Sequence, residues 1–418
     1  MSVLAICIQS QFRAELTPGK RRIPPGAPPS RRLTASEFPN GGLRPVGFSD
    51  RLNRNAEHVH SHPSGRTARG RDEDRSAEHC SAWSAILGSC RAMLGAPMNL
   101  VLLTLLSLSL HATAAEPPQT NTTPTVIVVT GAAGEEEFGK HFATWADAWR
   151  KAARLGGARL IDIGPTNAPG LTDRERLQQA LAEEAKSTAG DLWLVFLGHG
   201  TFDGKEAKFN LTGPDVGAGD LADWLKPVRR PLAIIDTSSA SGPFIKKLSA
   251  PGRVIVTATR SGSEESYARF GEFLSAAIID PQADLDRDGQ ISLLEAFLSA
   301  SHKVTEFYRS EGRLATEHAL LDDNGDGLGT PPDWFRGTRA VKRASEGATP
   351  DGLLAAQFCL VPSDFEKRLS PAQRQRRNEL ETSIAKLRDI KTKIPEAEYY
   401  QQLEPLLLEL ARLYQSVK

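Results

Sequence analysis

The chain has 418 residues and 51 Lys plus Arg against 51 Asp plus Glu, a formal net charge of zero. That balance argues against a nucleic-acid-binding surface as the organising feature of the whole molecule. The length allows two or three domains, and a hydrophobic content of 40% is that of an ordinary globular protein.

Residues 1–97 are rich in Arg, Pro, Ser and Gly and carry no sustained helical or strand periodicity. They read as a low-complexity extension, or as sequence upstream of the true start. Residues 98–115, MNLVLLTLLSLSLHATAA, combine an apolar run at 100–110 with the small-residue site Ala112-Thr113-Ala114. That is the pattern of a secretory signal peptide, too short to span a membrane. It predicts an exported protein, periplasmic or extracellular, with no stable membrane span after cleavage. Three of the four cysteines (Cys7, Cys80 and Cys90) precede this segment, and only Cys359 follows it. The exported part therefore has no internal disulfide and must rely on its core, or on a metal.

Residues 122–336 read as one α/β domain. Residues 125–130 (TVIVVT) are a continuous β-branched run, suited to a strand buried on both faces. A helix is expected at 136–155, a strand at 158–163, and a helix from about 173 to 186. Thr172 is its N-cap, with Glu175 completing a capping box. Further strands are expected at 191–197, 232–235 and 253–257. Strands alternating with helices predict a doubly wound, mostly parallel sheet, with chemistry beyond the carboxyl ends of the strands.

The strand at 191–197 runs into Gly198-His199-Gly200, and the strand at 232–235 runs into Asp236-Thr237-Ser238-Ser239-Ala240-Ser241-Gly242. An apolar strand ending in His-Gly, followed by one ending in a block of small nucleophiles, resembles the caspase–legumain clan of cysteine peptidases over residues 125–280. In that clan the block usually reads Asp-Ala-Cys or Asp-Thr-Cys. The resemblance implies a caspase-like sheet, with His199 at the place of the catalytic histidine and Ser238 at that of the catalytic cysteine. A thiol needs only a modest shift to become a thiolate beside an imidazole, whereas a serine needs an oriented base and an oxyanion hole. Cysteine replaced by serine thus predicts a degenerate site and a non-catalytic scaffold. The alternative is a hydrolase using His199 and Ser238, with Asp203 or Asp236 orienting the histidine.

Residues 284–295 (DLDRDGQISLLE) match the twelve-position calcium loop of an EF-hand. Asp284, Asp286 and Asp288 take positions 1, 3 and 5, and Gly289 the turn at 6. Gln290 offers a carbonyl at 7, Ser292 takes position 9, and Glu295 supplies the carboxylate at 12. Four carboxylates in one short loop repel one another unless a cation neutralises them, so calcium is the predicted ligand. A helix should leave this loop at 293–308; on the entering side Asp280-Pro281 ends the helix at 270–279. A weaker second loop at 322–333 places Asp322, Asn324 and Asp326 at positions 1, 3 and 5 and Asp333 at 12, with Pro331-Pro332 against an exiting helix.

Residues 337–362 read as a polar linker. Residues 363–418 read as a helical hairpin: Ser370-Pro371 opens the first helix, Ile394-Pro395 breaks it, and Pro405 is expected to kink the second. The whole reads as an exported calcium-binding module on a caspase-like scaffold, with a protein or peptide as its candidate partner.

Overall fold

In a computed structural model, residues 123–165 and 170–417 are described. The extension at 1–97 and the signal segment at 98–115 lie outside them. No helix among the described residues is long and apolar enough to cross a membrane.

The fold is a mixed α/β sandwich around a six-stranded, mainly parallel sheet. Strand β1 (Thr125–Thr130) is central and runs parallel to both β2 (Arg159–Ile163) and β3 (Leu192–Leu197). Beyond β3 come β7 (Leu232–Asp236) and β8 (Arg253–Thr257), also parallel, and then β9 (Leu320–Asp322), which runs antiparallel at the edge. A side sheet of three short strands, β4 (Gly200–Phe202), β5 (Ala207–Phe209) and β6 (Val216–Gly217), leaves the end of β3.

Alternation along the strands builds two cores. Val126, Val128, Trp193, Val195, Ile235 and Val256 face one side. They pack there with α1 (Glu136–Leu155), α5 (Phe270–Ala277) and α6 (Leu293–Ser310). Ile127, Val129, Leu194, Phe196, Ile234 and Ile255 face the other. That side holds α2 (Asp173–Glu184), α3 (Ala218–Trp224) and α4 (Gly242–Leu248). Because both faces are covered, the central strands read as unbroken apolar runs. The expected strands and helices fall within a residue or two of the observed ones, and the Thr172–Glu175 capping box forms.

Residues 337–362 are not a linker. Ala355, Phe358 and Leu360 are buried in the first core, and Phe358 accepts a backbone hydrogen bond from Leu293 at 2.8 Å. The segment leads into a short helix α7 (Asp364–Arg368) and then the antiparallel hairpin of α8 (Pro371–Asp389) and α9 (Glu396–Ser416). Ile384, Leu387, Tyr399 and Leu403 form its core. Helix α9 continues through Pro405. The buried Arg377–Glu366 ion pair joins α8 to α7, and the hairpin is tied to the segment packed on the first core by Gln357, which donates to the Asn378 carbonyl at 3.2 Å.

Candidate functional site

Strands β3 and β7 are neighbours, paired Phe196 to Asp236, so their carboxyl ends bring the His199 and Ser238 segments side by side. The His199 ring is half-buried among aromatics, edge-on to Phe138 at 4.8 Å and to Phe142 at 5.1 Å between centroids. Its Nε2 lies 3.2 Å from the Ala133 carbonyl. A carbonyl only accepts, so Nε2 carries the proton and Nδ1 keeps the lone pair. Burial lowers the pKa of this imidazole and favours the neutral ring.

Ser238 is fully buried and turned away from that base. Its Oγ donates to Asp236 Oδ1 at 2.6 Å, and its backbone N–H donates to the same oxygen at 3.0 Å. Gly200 covers it: a Cβ at that position would stand 2.7 Å from Ser238 Oγ and 2.2 Å from the Ser239 carbonyl oxygen. Ser239 Oγ staples the same junction, donating to the Gly200 carbonyl at 3.1 Å and accepting its N–H at 3.3 Å. The turn is strained, with Ala240 at φ 55°. Neither expected carboxylate orients the histidine. Asp236 holds Ser238, and Asp203 accepts the N–H groups of Lys205 and Glu206 in the turn after β4. Among the described residues no hydrogen bond joins His199 to Ser238.

Asp236 is a buried acid with one oxygen, Oδ2, lacking a hydrogen-bond partner. Burial pushes its carboxyl up to about 6, against the pull of the two Ser238 hydrogen bonds. The folded chain therefore holds this proton more tightly than the unfolded chain does. Stability from this group is present at low pH and is lost as pH rises from the ordinary carboxylate range through about 6. Asp236→Asn should remove that loss. Its stability relative to wild type is expected to improve by about 2–3 kcal/mol between pH 4 and pH 7, read from urea unfolding at the two pH values.

The second cluster lies on the loop between α5 and α6. Helix α5 stops at Ala277 and a 3-10 turn (Pro281–Ala283) precedes the loop. Asp284, Asp286 and Glu295 each place a carboxylate oxygen within 4.8 Å of the others. The chain turns through left-handed residues at Arg287 (φ 63°) and Gly289 (φ 87°). Asp284 accepts the N–H groups of Asp288 at 3.2 Å and Gly289 at 3.0 Å, which closes the ring. Glu295 Oε1 accepts from Leu285 at 2.8 Å and Asp286 at 3.1 Å, while Oε2 accepts from the Ser292 N–H and Oγ, both at 2.8 Å. Asp286 is at the exposed rim, yet withdrawal of its carboxylate from water, then the charges of Asp288, Glu295 and Asp284, push it up to about 7. A bound cation would relieve the like-charge part of this shift and stand in for part of the lost hydration.

One expected ligand group, the Ser292 hydroxyl, has other work, and the Gln290 side chain makes contacts of its own. Ser292 is the N-cap of α6, with its hydroxyl committed to the Ser292–Glu295 capping box. The Gln290 side chain bridges outward: Nε2 donates to Asp288 Oδ2 at 2.9 Å, and Oε1 accepts from Ser363 N at 3.3 Å. Sequence reasoning missed this link between the loop and the base of the hairpin, because Ser363 is 73 positions away. In the second loop, Asp322, Asn324 and Asp326 lie in order. Asp333 instead sits exposed in a 3-10 turn (Pro332–Trp334), because Pro331 and Pro332 prevent a helix that would fold it back. Among the described residues, the carboxylate that reaches this loop from outside is Asp351.

No family model and no curated protein sequence matches the chain. Solved structures do, distantly. The chain is similar to the Drosophila initiator caspase Dronc at 12% identity over 49% of this chain and 80% of that one, with a TM-score of 0.32. It is similar to caspase-1 from Spodoptera frugiperda at 12% identity over 49% and 89%, with a TM-score of 0.32. It is also similar to protein GSU0716 from Geobacter sulfurreducens at 11% identity over 48% and 92%, with a TM-score of 0.33.

Proposed function

We propose that this chain is an exported, calcium-binding module on a caspase-like scaffold, whose histidine–serine pair no longer catalyses. The observation that carries the reading is the convergence of Asp284, Asp286 and Glu295, an oxygen from each within 4.8 Å, on a loop that turns at Gly289. Calcium takes a flexible shell of carboxylate and carbonyl oxygens, which this loop offers. The ion acts as a clasp. The loop it organises carries the N-cap of α6 and, through Gln290, holds the start of the helical hairpin. The scaffold then presents a protein- or peptide-binding surface. The non-catalytic part of the reading is supported by Ser238, which is sealed from solvent and hydrogen-bonded to Asp236 instead of a base. Export is read from the segment at 98–115, and sequencing the N-terminus of the secreted protein tests it.

Calorimetric titration with calcium should give binding heat for the wild type, with the affinity of the 284–295 loop weakened in Asp284→Ala, because affinity follows the number of charged ligands. No heat from the wild type would sink the calcium reading. A serine-directed fluorophosphonate should leave Ser238 unlabelled. Labelling of the wild type that disappears in Ser238→Ala would overturn the non-catalytic reading.

A further inference from the structure

The two acidic loops share more than composition. At positions 4 and 6 both turn through left-handed residues: Arg287 and Gly289 in the first, Gly325 (φ 83°) and Gly327 (φ 73°) in the second. In both, the N–H of position 5 donates to the side chain of position 3 (Asp288 to Asp286 at 3.2 Å, Asp326 to Asn324 at 2.8 Å). In both, the N–H of position 7 donates to the side chain of position 5 (Gln290 to Asp288 at 3.0 Å, Leu328 to Asp326 at 2.8 Å).

The last ligand position is where they differ in sequence and agree in hydrogen bonding, although among the described residues three carboxylate oxygens lie within 4.8 Å of one another only in the first loop. In the first loop, Glu295 at position 12 accepts from the N–H groups of positions 2 and 3 with one oxygen and from the hydroxyl of position 9 with the other. In the second loop those contacts belong to Asp351. Its Oδ1 accepts from Asp323 N at 3.0 Å and Asn324 N at 3.2 Å, positions 2 and 3. Its Oδ2 accepts from Thr330 Oγ1 at 2.5 Å, position 9. Asp323 holds this carboxylate in place by accepting the N–H groups of Gly352 at 2.9 Å and of Leu354 and Ala355 at 2.8 Å.

One oxygen in this loop lacks a hydrogen-bond partner. Asp322, at position 1, is 1% exposed; its Oδ1 accepts from Gly325 N of the same loop at 3.2 Å and the Ser249 hydroxyl stands beside the carboxyl as a further donor, while Oδ2 is buried and makes no hydrogen bond of good geometry. A buried carboxylate oxygen without a donor is costly unless a proton or a cation takes it, and here, unlike at Asp236, further oxygen donors stand around it. We infer that the 322–330 loop is a second divalent-cation site, ligated by Asp322, Asn324 and Asp326, with Asp351 supplying from outside the loop the carboxylate that Glu295 supplies within the first. The preferred ion is calcium, because every donor is a hard oxygen. The site extends the calcium reading to a loop that does not depend on the first.

Equilibrium dialysis of the full exported chain against calcium separates the two sites. The wild type should hold two ions per chain, Glu295→Gln one, and Asp351→Asn one, while Asp333→Asn keeps both. Asp326→Asn, at an exposed position that cannot unfold the core, should also hold one. A wild type that holds one ion, lost in Glu295→Gln and kept in Asp351→Asn and Asp326→Asn, would overturn this inference and leave the first site standing. One ion lost only in Asp351→Asn and Asp326→Asn would overturn the first site instead. Loss of an ion in Asp333→Asn, with both kept in Asp351→Asn, would reject the role given to Asp351.

Discussion

Glu295→Ala in the 284–295 loop should lower the stability of the protein by about 4 kcal/mol. One carboxylate accepts four hydrogen bonds there, from the N–H groups of Leu285, Asp286 and Ser292 and from the Ser292 hydroxyl. Removing it leaves buried donors unpaired, at about 1–3 kcal/mol for each that water cannot reach. It also breaks the capping box of α6, a further loss of about 1 kcal/mol. Helix α6 packs Leu293, Leu294 and Phe297 into the first core, so the damage is not confined to the loop. Glu295→Gln keeps the shape and one acceptor and should cost about half as much, a neutral hydrogen bond being weaker than a charged one. Calcium at about 5 mM, with an affinity of about 10⁻⁴ to 10⁻³ M, adds about 1–2 kcal/mol per site by mass action. Urea unfolding with calcium and with a chelator should show that both variants lose the increment due to this loop. An alanine variant as stable as wild type under both conditions would contradict the geometry described for Glu295.

The reach of the sequence differs from one part of this molecule to another. The central strands announce themselves because residues such as Val126 to Val129 are buried on both faces and no polar residue interrupts them. The capping box at Thr172 is equally plain, since its partner stands three positions away, whereas the one at Ser292 is masked by the calcium-loop pattern that claims the same residue. The strands of the side sheet are two or three residues long, below the length at which periodicity carries information, and β9 is hidden in the start of the second acidic loop. Residues 337–362 look polar, but Ala355, Phe358 and Leu360 are enough to anchor the segment to the first core, after which Asp351 lies against the loop. That contact spans 28 positions, and no motif of fixed spacing describes it. Position 12 counted along the chain falls on Asp333, beyond two prolines and exposed in a 3-10 turn, while the carboxylate that accepts from the N–H groups of positions 2 and 3 is Asp351. The histidine and serine are legible as strand-end residues, but the adjacency of β3 and β7 comes from the structure, and the relation of the two side chains depends on their direction, which strand order alone does not fix.

Gly200→Ala tests that relation most severely. The added Cβ would stand 2.2 Å from the Ser239 carbonyl oxygen, 2.7 Å from Ser238 Oγ and 3.2 Å from the Lys208 carbonyl oxygen. Two of the three obstacles are backbone. The strand cannot step aside easily, because Ser239 Oγ bonds both the N–H and the carbonyl of Gly200 and β4 pairs with β5 through Phe209. Overpacking of a fixed site costs about 1–3 kcal/mol, and the closeness of the backbone contact puts this variant at or above the top of that range. The matched control is Gly204→Ala. That glycine has φ 89° and nothing within 4 Å of an added Cβ, so its loss is conformational only, about 1–2 kcal/mol. Urea midpoints for the two variants should therefore separate clearly, with the larger fall at Gly200. If Gly200→Ala costs no more than Gly204→Ala, the two strand ends are farther apart than the structure places them. Ser238 would then be free to turn towards His199, and the case for a silent site would lose its main support.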